Sequence, residues 1–353
     1  MFTLKSLALA QHSHANFDER LLMDGMDANA MYLGVDLGGS ATKMGIVDGM
    51  GNLVGRKVIA TPELRTEAQC RAHIANMAAF AHEMGVYTSE LAGVGLALPG
   101  IIVNGTPELT PNVQIEWPVF MALMRKEFEG RQIECINNAN AAALGEMWHG
   151  AAAGAQSTML VTVGTGIGAG IVADGRVVQG RGGAGEIGHL TVVPGGRPCH
   201  CGRAGCVEQY ASSRGIVASF REAQAAGAVA SSAHEPASDI DAQAVFEAYA
   251  EGDARAVAAV KIFVDTLGFA LAQTTCVVDA DVILLGGGVA GAADMFLDDL
   301  QRVYVEQCLP TCRGTKIRVA ELGNTAGIVG AVRYVQMMYE ATNPFDDLFG
   351  MGF

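Results

Sequence analysis

The run Cys199-His200-Cys201-Gly202-Arg203-Ala204-Gly205-Cys206-Val207-Glu208 gathers three thiols, and Gly185-Glu186-Ile187-Gly188-His189 lies just upstream of it. A Cys-x-Cys pair closes a disulfide only under strain, whereas thiolates at that spacing can share one tetrahedral metal ion, with Cys206 and an outlying nitrogen completing four ligands. Sulfur with imidazole is a donor set for zinc. Four protein ligands leave no open position for water, so the ion is expected to fasten a loop and not to do chemistry itself. Gly202 and Gly205 give the tight backbone that a metal-wrapped loop needs, which sets this pattern apart from three ordinary buried thiols. The chemistry is then expected of Glu186 and Glu208, the acids at the two ends of the cluster.

Glycine turns supply the second kind of chemistry. Asp36-Leu37-Gly38-Gly39-Ser40-Ala41-Thr42-Lys43 sits inside Tyr32 to Asp48, which reads as strand, turn, strand, a hairpin with Gly38, Gly39, Ser40 and Thr42 at its tip. The stretch from Ser157 to Val172 repeats the device around Gly164, Thr165 and Gly166. Backbone N–H groups at such turns can hold phosphate locally, whatever the overall charge. A hairpin used twice suggests two similar lobes facing one cleft. Gly164-x-Gly166-x-Gly168-x-Gly170 lacks the G-x-G-x-x-G spacing of a dinucleotide-binding unit, strand character resumes where that unit needs a helix, and no P-loop is present.

The elements that must position these turns follow from periodicity. Residues 67–85 and 326–339 are helical, 215–275 is alanine-rich and helical around a looser polar loop at 228–238, and Leu91 to Leu98 is a buried strand ending at Pro99-Gly100. Asp281 to Val289 is another strand, running into Gly286, Gly287 and Gly288. The 353 residues are enough for two domains, and a half-apolar chain with 45 glycines reads as an α/β protein with many tight turns. No apolar run reaches the ~18 residues of a membrane span. A net charge of −14 without clustered Lys and Arg argues against a nucleic-acid surface. Five scattered cysteines beside the three of the cluster suit a reducing cytoplasm. Residues 1–30 read as an N-terminal extension and not as a signal peptide.

Taken in order, the Asp36 to Lys43 hairpin, the run Asn137-Asn138-Ala139-Asn140-Ala141-Ala142-Ala143-Leu144-Gly145-Glu146, Gly164 to Gly168, Gly185 to His189 and the Cys199 to Glu208 block resemble the ROK family (repressor, open reading frame, kinase), and within it bacterial sugar kinases such as glucokinases. The resemblance covers residues 31–341. It implies a two-lobed actin-like ATPase fold of ribonuclease H type, with a structural zinc loop, and transfer of the ATP γ-phosphoryl group to a hexose hydroxyl, glucose being the first choice. One lobe would be 31–137 completed by the helix at 325–341, the other 138–324, with hinges near 112–138 and 320–328 and a tail at 342–353. Gly38, Gly39, Ser40, Thr42 and Lys43 on one side and Gly164, Thr165 and Gly166 on the other would hold phosphates, Asp36 would stand near Mg²⁺, and Gly286, Gly287 and Gly288 would line the adenosine pocket. The sugar would meet Asn112, Asn137, Glu186, His189 and Glu208, with His189 also joining Cys199, Cys201 and Cys206 on zinc. A homodimer or homotetramer follows by analogy. The family's repressors carry a helix-turn-helix domain ahead of the core, and the residues before Tyr32 are too few and too poor in basic side chains to form one.

One position departs from the family pattern. Where it has the aspartate that accepts the proton of the attacking hydroxyl, this chain has Asn138. An amide cannot take a proton at neutral pH, and a positioned general base contributes ~10²–10⁴-fold in rate. Binding of ATP and sugar with poor turnover is expected. The intact remaining motifs favour an exchanged aspartate over natural loss or relocation of the base, and a sugar-binding pseudokinase is the rival reading.

Overall fold

The computed structural model describes residues 27–103, 105–110, 113–227 and 240–342; Asn112, the polar loop at 228–238, the extension through residue 26 and the tail after residue 342 lie outside the described residues. Strands β1 (Met31–Leu37), β2 (Ala41–Asp48) and β3 (Leu53–Ala60) form an antiparallel meander. Helix α1 (Glu67–Glu83) starts at Thr66, whose hydroxyl accepts the Gln69 N–H while the Gln69 side chain accepts from the Thr66 backbone, satisfying two otherwise orphaned donors. Strand β4 (Leu91–Leu98) returns parallel to β1; the small hairpin β5 (Ile101–Val103) and β6 (Thr106–Leu109) follows, then α2 (Trp117–Glu127) and β7 (Gln132–Asn137), parallel to β4. The first sheet thus has the order β3-β2-β1-β4-β7.

Helix α3 (Asn138–His149) leads into a second sheet built the same way. Strands β8 (Thr158–Val163), β9 (Ile167–Ala173) and β10 (Arg176–Val177) form its meander, helices α4 (Glu208–Ala211), α5 (Ser213–Ala225), α6 (Ala242–Ala250) and α7 (Ala254–Val278) intervene, and β11 (Val282–Gly286), α8 (Leu297–Gln307) and β12 (Lys316–Val319) complete the order β10-β9-β8-β11-β12. Central strands β4, β8 and β11 are nearly continuous apolar runs because both their faces are covered, whereas the edge strand β3 alternates inward and exposed residues. Each sheet has its own core, one around Leu33, Val35, Ile74, Phe80 and Phe120, the other around Val161, Phe263, Leu285, Phe296 and Tyr304. Helix α7 is long and apolar enough by composition to cross a membrane, but Ala259, Phe263, Leu267 and Leu271 are buried in that second core.

The last helix, α9 (Ala326–Thr342), lies on β1, β4 and β7 of the first sheet and crosses α3, which packs on β8 and β9 of the second. The crossing is backbone on backbone: a Cβ at Gly330 would overlap the Ala141 carbonyl, and one at Gly145 would overlap that of Ala326. At the far end of α3, Glu146 is fully buried and ties down the chain returning from β12. Its Oε2 accepts from the N–H of Ala151 at 2.9 Å and of Glu321 at 3.1 Å, and Oε1 accepts from Leu322 at 2.7 Å.

Candidate active site

Ligands of α/β proteins bind at the carboxyl ends of the parallel strands, and there the chain places Asp36 (β1), Asn137 (β7), Gly164 (after β8) and Gly286 (β11). The first turn, Gly38 to Ser40, is closed by Gly38 N–H on Ala41 O at 3.0 Å, and Ser40 O accepts from Thr61 N–H at 3.1 Å, leaving Gly39 and Ser40 exposed. Lys43 donates to Asp36 Oδ2 at 3.0 Å. Thr42 corrects the sequence reading. It lies inside β2 and not at the tip, fully buried, with its hydroxyl 2.8 Å from Thr61 Oγ1 and 2.9 Å from His73 Nε2. The turn closes at Ser40 and Ala41 already begins β2, where Thr42 takes the inward face because side chains alternate along a strand.

The second turn is tighter. Gly164 N–H donates to Gly166 O at 3.0 Å, and the first turn of α5 fastens it from behind, Ser213 N–H donating to Gly164 O at 2.8 Å and Arg214 Nε to Thr165 O at 2.9 Å. Thr165 is exposed. Arg214 escaped the sequence reading, since only the fold brings α5 to this turn. Gly287, at φ 82°, rests against the backbone of Val163, so Gly286 to Gly288 adjoin the strand that ends at the turn.

Strand β9 gathers the rest. Gly166 just before it and Gly168 and Gly170 within it leave one face bare: the Glu208 carboxylate occupies the space of a Gly166 side chain, and the first turn of α3, at Ala139, lies against Gly168 and Gly170. Glu208 is 5% exposed; Oε2 accepts the Ile167 N–H at 3.0 Å, while Oε1 has no hydrogen bond, His200 Nδ1 standing 3.3 Å away but out of line. Gly185 and Gly188 bring the segment bearing Glu186 and His189 onto the carbonyls of Ala169 and Ile167. Asn137 caps α3, its Oδ1 accepting from Ala139 and Asn140 N–H and its Nδ2 donating to Gly100 O at 2.9 Å. Asn138, the first residue of α3, is exposed. Asn137 and Glu186 line one cleft together with Asn140, to which the sequence motif gave no role, and Gln179, which lies in no motif.

The thiols and His189 converge as a single donor set, with Cys201 Sγ 3.6 Å from Cys206 Sγ, Cys199 Sγ 3.7 Å from His189 Nδ1, and all four atoms within 4.8 Å of one another. Tetrahedral zinc requires S···S edges of about 3.8 Å and S···N edges of about 3.6 Å, so these residues fit the ion. The backbone N–H of Arg203 pulls the Cys201 thiol down to about 6, whereas burial pushes Cys206 up to about 12. A coordinated cation would deprotonate both. Gly205, at φ 78°, lets the loop turn back against Val193.

Two like sheets joined through one helix crossing are the architecture of the actin-like ATPase class, and solved structures of that class match the whole fold. A ROK hexokinase from Thermus thermophilus aligns with a TM-score of 0.72 at 32% identity, covering 89% of this chain and 99% of that one. A ROK family glucokinase from Streptomyces griseus, in complex with glucose and AMPPNP, aligns at 0.68 and 29%, covering 87% and 100%. A glucokinase from Halalkalibacterium halodurans is 38% identical over 312 residues, 85% of this chain and 93% of that protein. The model of the ROK family matches residues 32–337, and the chain belongs to that family.

Proposed function

We propose that this chain is an ATP-dependent sugar kinase acting on a hexose, glucose first, with its own turnover held low by Asn138. What supports the reading is the gathering of Asn137, Asn138, Glu186, His189 and Glu208 around β9, beside the turn at Gly164 to Gly166. Amides and carboxylates suit a ring of hydroxyls, each of which donates and accepts, and the unbonded Glu208 Oε1 is an acceptor in want of a donor. Glucose and AMPPNP bound to the Streptomyces griseus kinase make that ligand pair the natural first test here.

The backbone N–H groups of both turns would receive the phosphates, Lys43 and Arg214 adding positive charge. Asp36 offers a carboxylate oxygen to Mg²⁺, which when bound neutralises phosphate charge. Zinc, when bound by His189, Cys199, Cys201 and Cys206, supplies rigidity. Those residues then hold Glu186 and Glu208 at the two ends of a fixed loop, and His189, turning Nδ1 to the thiols, keeps Nε2 for the sugar. Asn138 can orient the attacking hydroxyl but cannot take its proton. Two lobes, 31–137 with 325–341 and 138–324, a cytoplasmic location and a homodimer or homotetramer belong to the same proposal.

Glucose-dependent ADP production by the chain and by Asn138→Asp tests it. The variant is expected to gain ~10²–10⁴-fold, and no gain would mean that the base is not at this position. A sugar-binding sensor is the second reading, favoured by Asn138 itself; calorimetry that finds glucose and ATP bound without turnover in either form would establish it. A thermal-shift panel of N-acetylmannosamine, N-acetylglucosamine, allose, fructose and mannose beside glucose identifies the sugar, since a ligand of the folded state raises the melting point.

A further inference from the structure

Two further amides, Asn140 and Gln179, open into the cleft lined by Asn137 and Glu186. Asn140 is 5% exposed, and its orientation is fixed because Oδ1 accepts the backbone N–H of Ile171 at 3.3 Å. Its Nδ2 faces the cleft with no partner among the described residues. Gln179 is held in the opposite sense: Nε2 donates to Tyr334 Oη on α9 at 3.2 Å, which leaves Oε1 as an acceptor. One amide donor and one amide acceptor therefore share a cavity with the carboxylate of Glu186, which when ionised only accepts. Both free amide atoms border the cleft, so water there can be exchanged for a ligand hydroxyl that pairs with each.

We propose that Asn140 and Gln179 belong to the sugar site and select the substrate by reading one hydroxyl as acceptor and donor at once; this rests on the sugar-kinase reading above. A hydroxyl placed between them accepts from Asn140 Nδ2 and donates to Gln179 Oε1. A sugar lacking that hydroxyl, or presenting it on the other face, leaves both amides unpaired, the means by which a polar site rejects a near-isostere. Ala169, Gly182 and Ala184 line the same cleft with small side chains or none.

Calorimetry with glucose, its single-deoxy analogues and its epimers tests this on the full chain and on three variants. Gln179→Met keeps the length and removes the acceptor, Asn140→Asp keeps the bond to Ile171 and removes the donor, and Tyr334→Phe removes only the tether of Gln179. The first two are expected to weaken glucose about tenfold or more and to shrink the gap between glucose and one particular analogue, with AMPPNP affinity unchanged; Tyr334→Phe should leave that gap intact. Unchanged affinity and unchanged gap in Gln179→Met and Asn140→Asp overturn the inference, as does Tyr334→Phe reproducing the loss. Should Asn140→Asp fail to fold, Gln179→Met decides. A parent chain that binds no hexose removes the sugar-kinase reading and this inference with it, whereas a parent that binds while the variants match it removes the inference alone.

Discussion

His73 is an imidazole with no solvent to share its charge. It lies on the buried face of α1, 2% exposed, with Nε2 2.9 Å from the hydroxyl of Thr42 beneath the first glycine turn. Burial holds its pKa below the ordinary 6.5. The folded state therefore takes up the proton less readily than the unfolded chain, so its contribution to stability is fully present above 6.5 and declines as pH falls from there toward the lowered folded value. Unfolding free energies measured between about pH 7.5 and about pH 5 should fall by up to ~1.4 kcal/mol per pH unit through this group, and His73→Gln should flatten the curve. A parent curve already flat over that range would contradict the assignment. The sequence could not show this pairing: whether Thr42 stays in the turn or enters β2 depends on where the turn closes, and His73 comes from a helix 31 residues further on. The convergence of Cys199, Cys201, Cys206 and His189 was legible for the opposite reason, their spacing being local and their donor types few.

Among the elements, α3 does the most. Its start presents Asn137 and Asn140 to the cleft and leaves Asn138 exposed, and its last turn carries Glu146, which collects three backbone N–H groups from the turn after α3 and the start of the return to α9. Glu146→Gln keeps the shape but turns one acceptor into a donor that faces buried donors, and an unsatisfied buried group costs ~1–3 kcal/mol. Denaturant unfolding should show that loss at an unchanged slope; equal stability would mean those N–H groups have other partners. The glycine hairpins and the repetition of a whole sheet could be read from apolar strands bracketing glycine pairs. Gln179 and Arg214 could not, because each reaches its place only once β10 or α5 has packed against a partner distant in the chain.

On the scale of the whole molecule, the thiol cluster sits in the loop between Glu186 and Glu208, which meets the second glycine turn through Glu208 at Gly166, while the first turn belongs to the other sheet. Stripping metal with a chelator is therefore expected to lower the melting temperature and weaken sugar binding, leaving AMPPNP affinity near its starting value. Differential scanning calorimetry and titration calorimetry on the stripped and zinc-restored chain check this, and equal loss of both ligands would show that the loop supports the entire fold. The recurrence of one strand order in two sheets was foreshadowed by the duplicated turns, but the way the halves meet was not, since it depends on which glycines of α3 and α9 come opposite one another.

The crossing at Gly145 and Gly330 does not stand alone, since Ala141, Leu144, Ala331 and Tyr334 share one buried cluster around it. Tyr334 also receives the Gln179 amide beside the cleft, so an occupant that drew Gln179 away would tug on the same buried joint through which the two sheets meet.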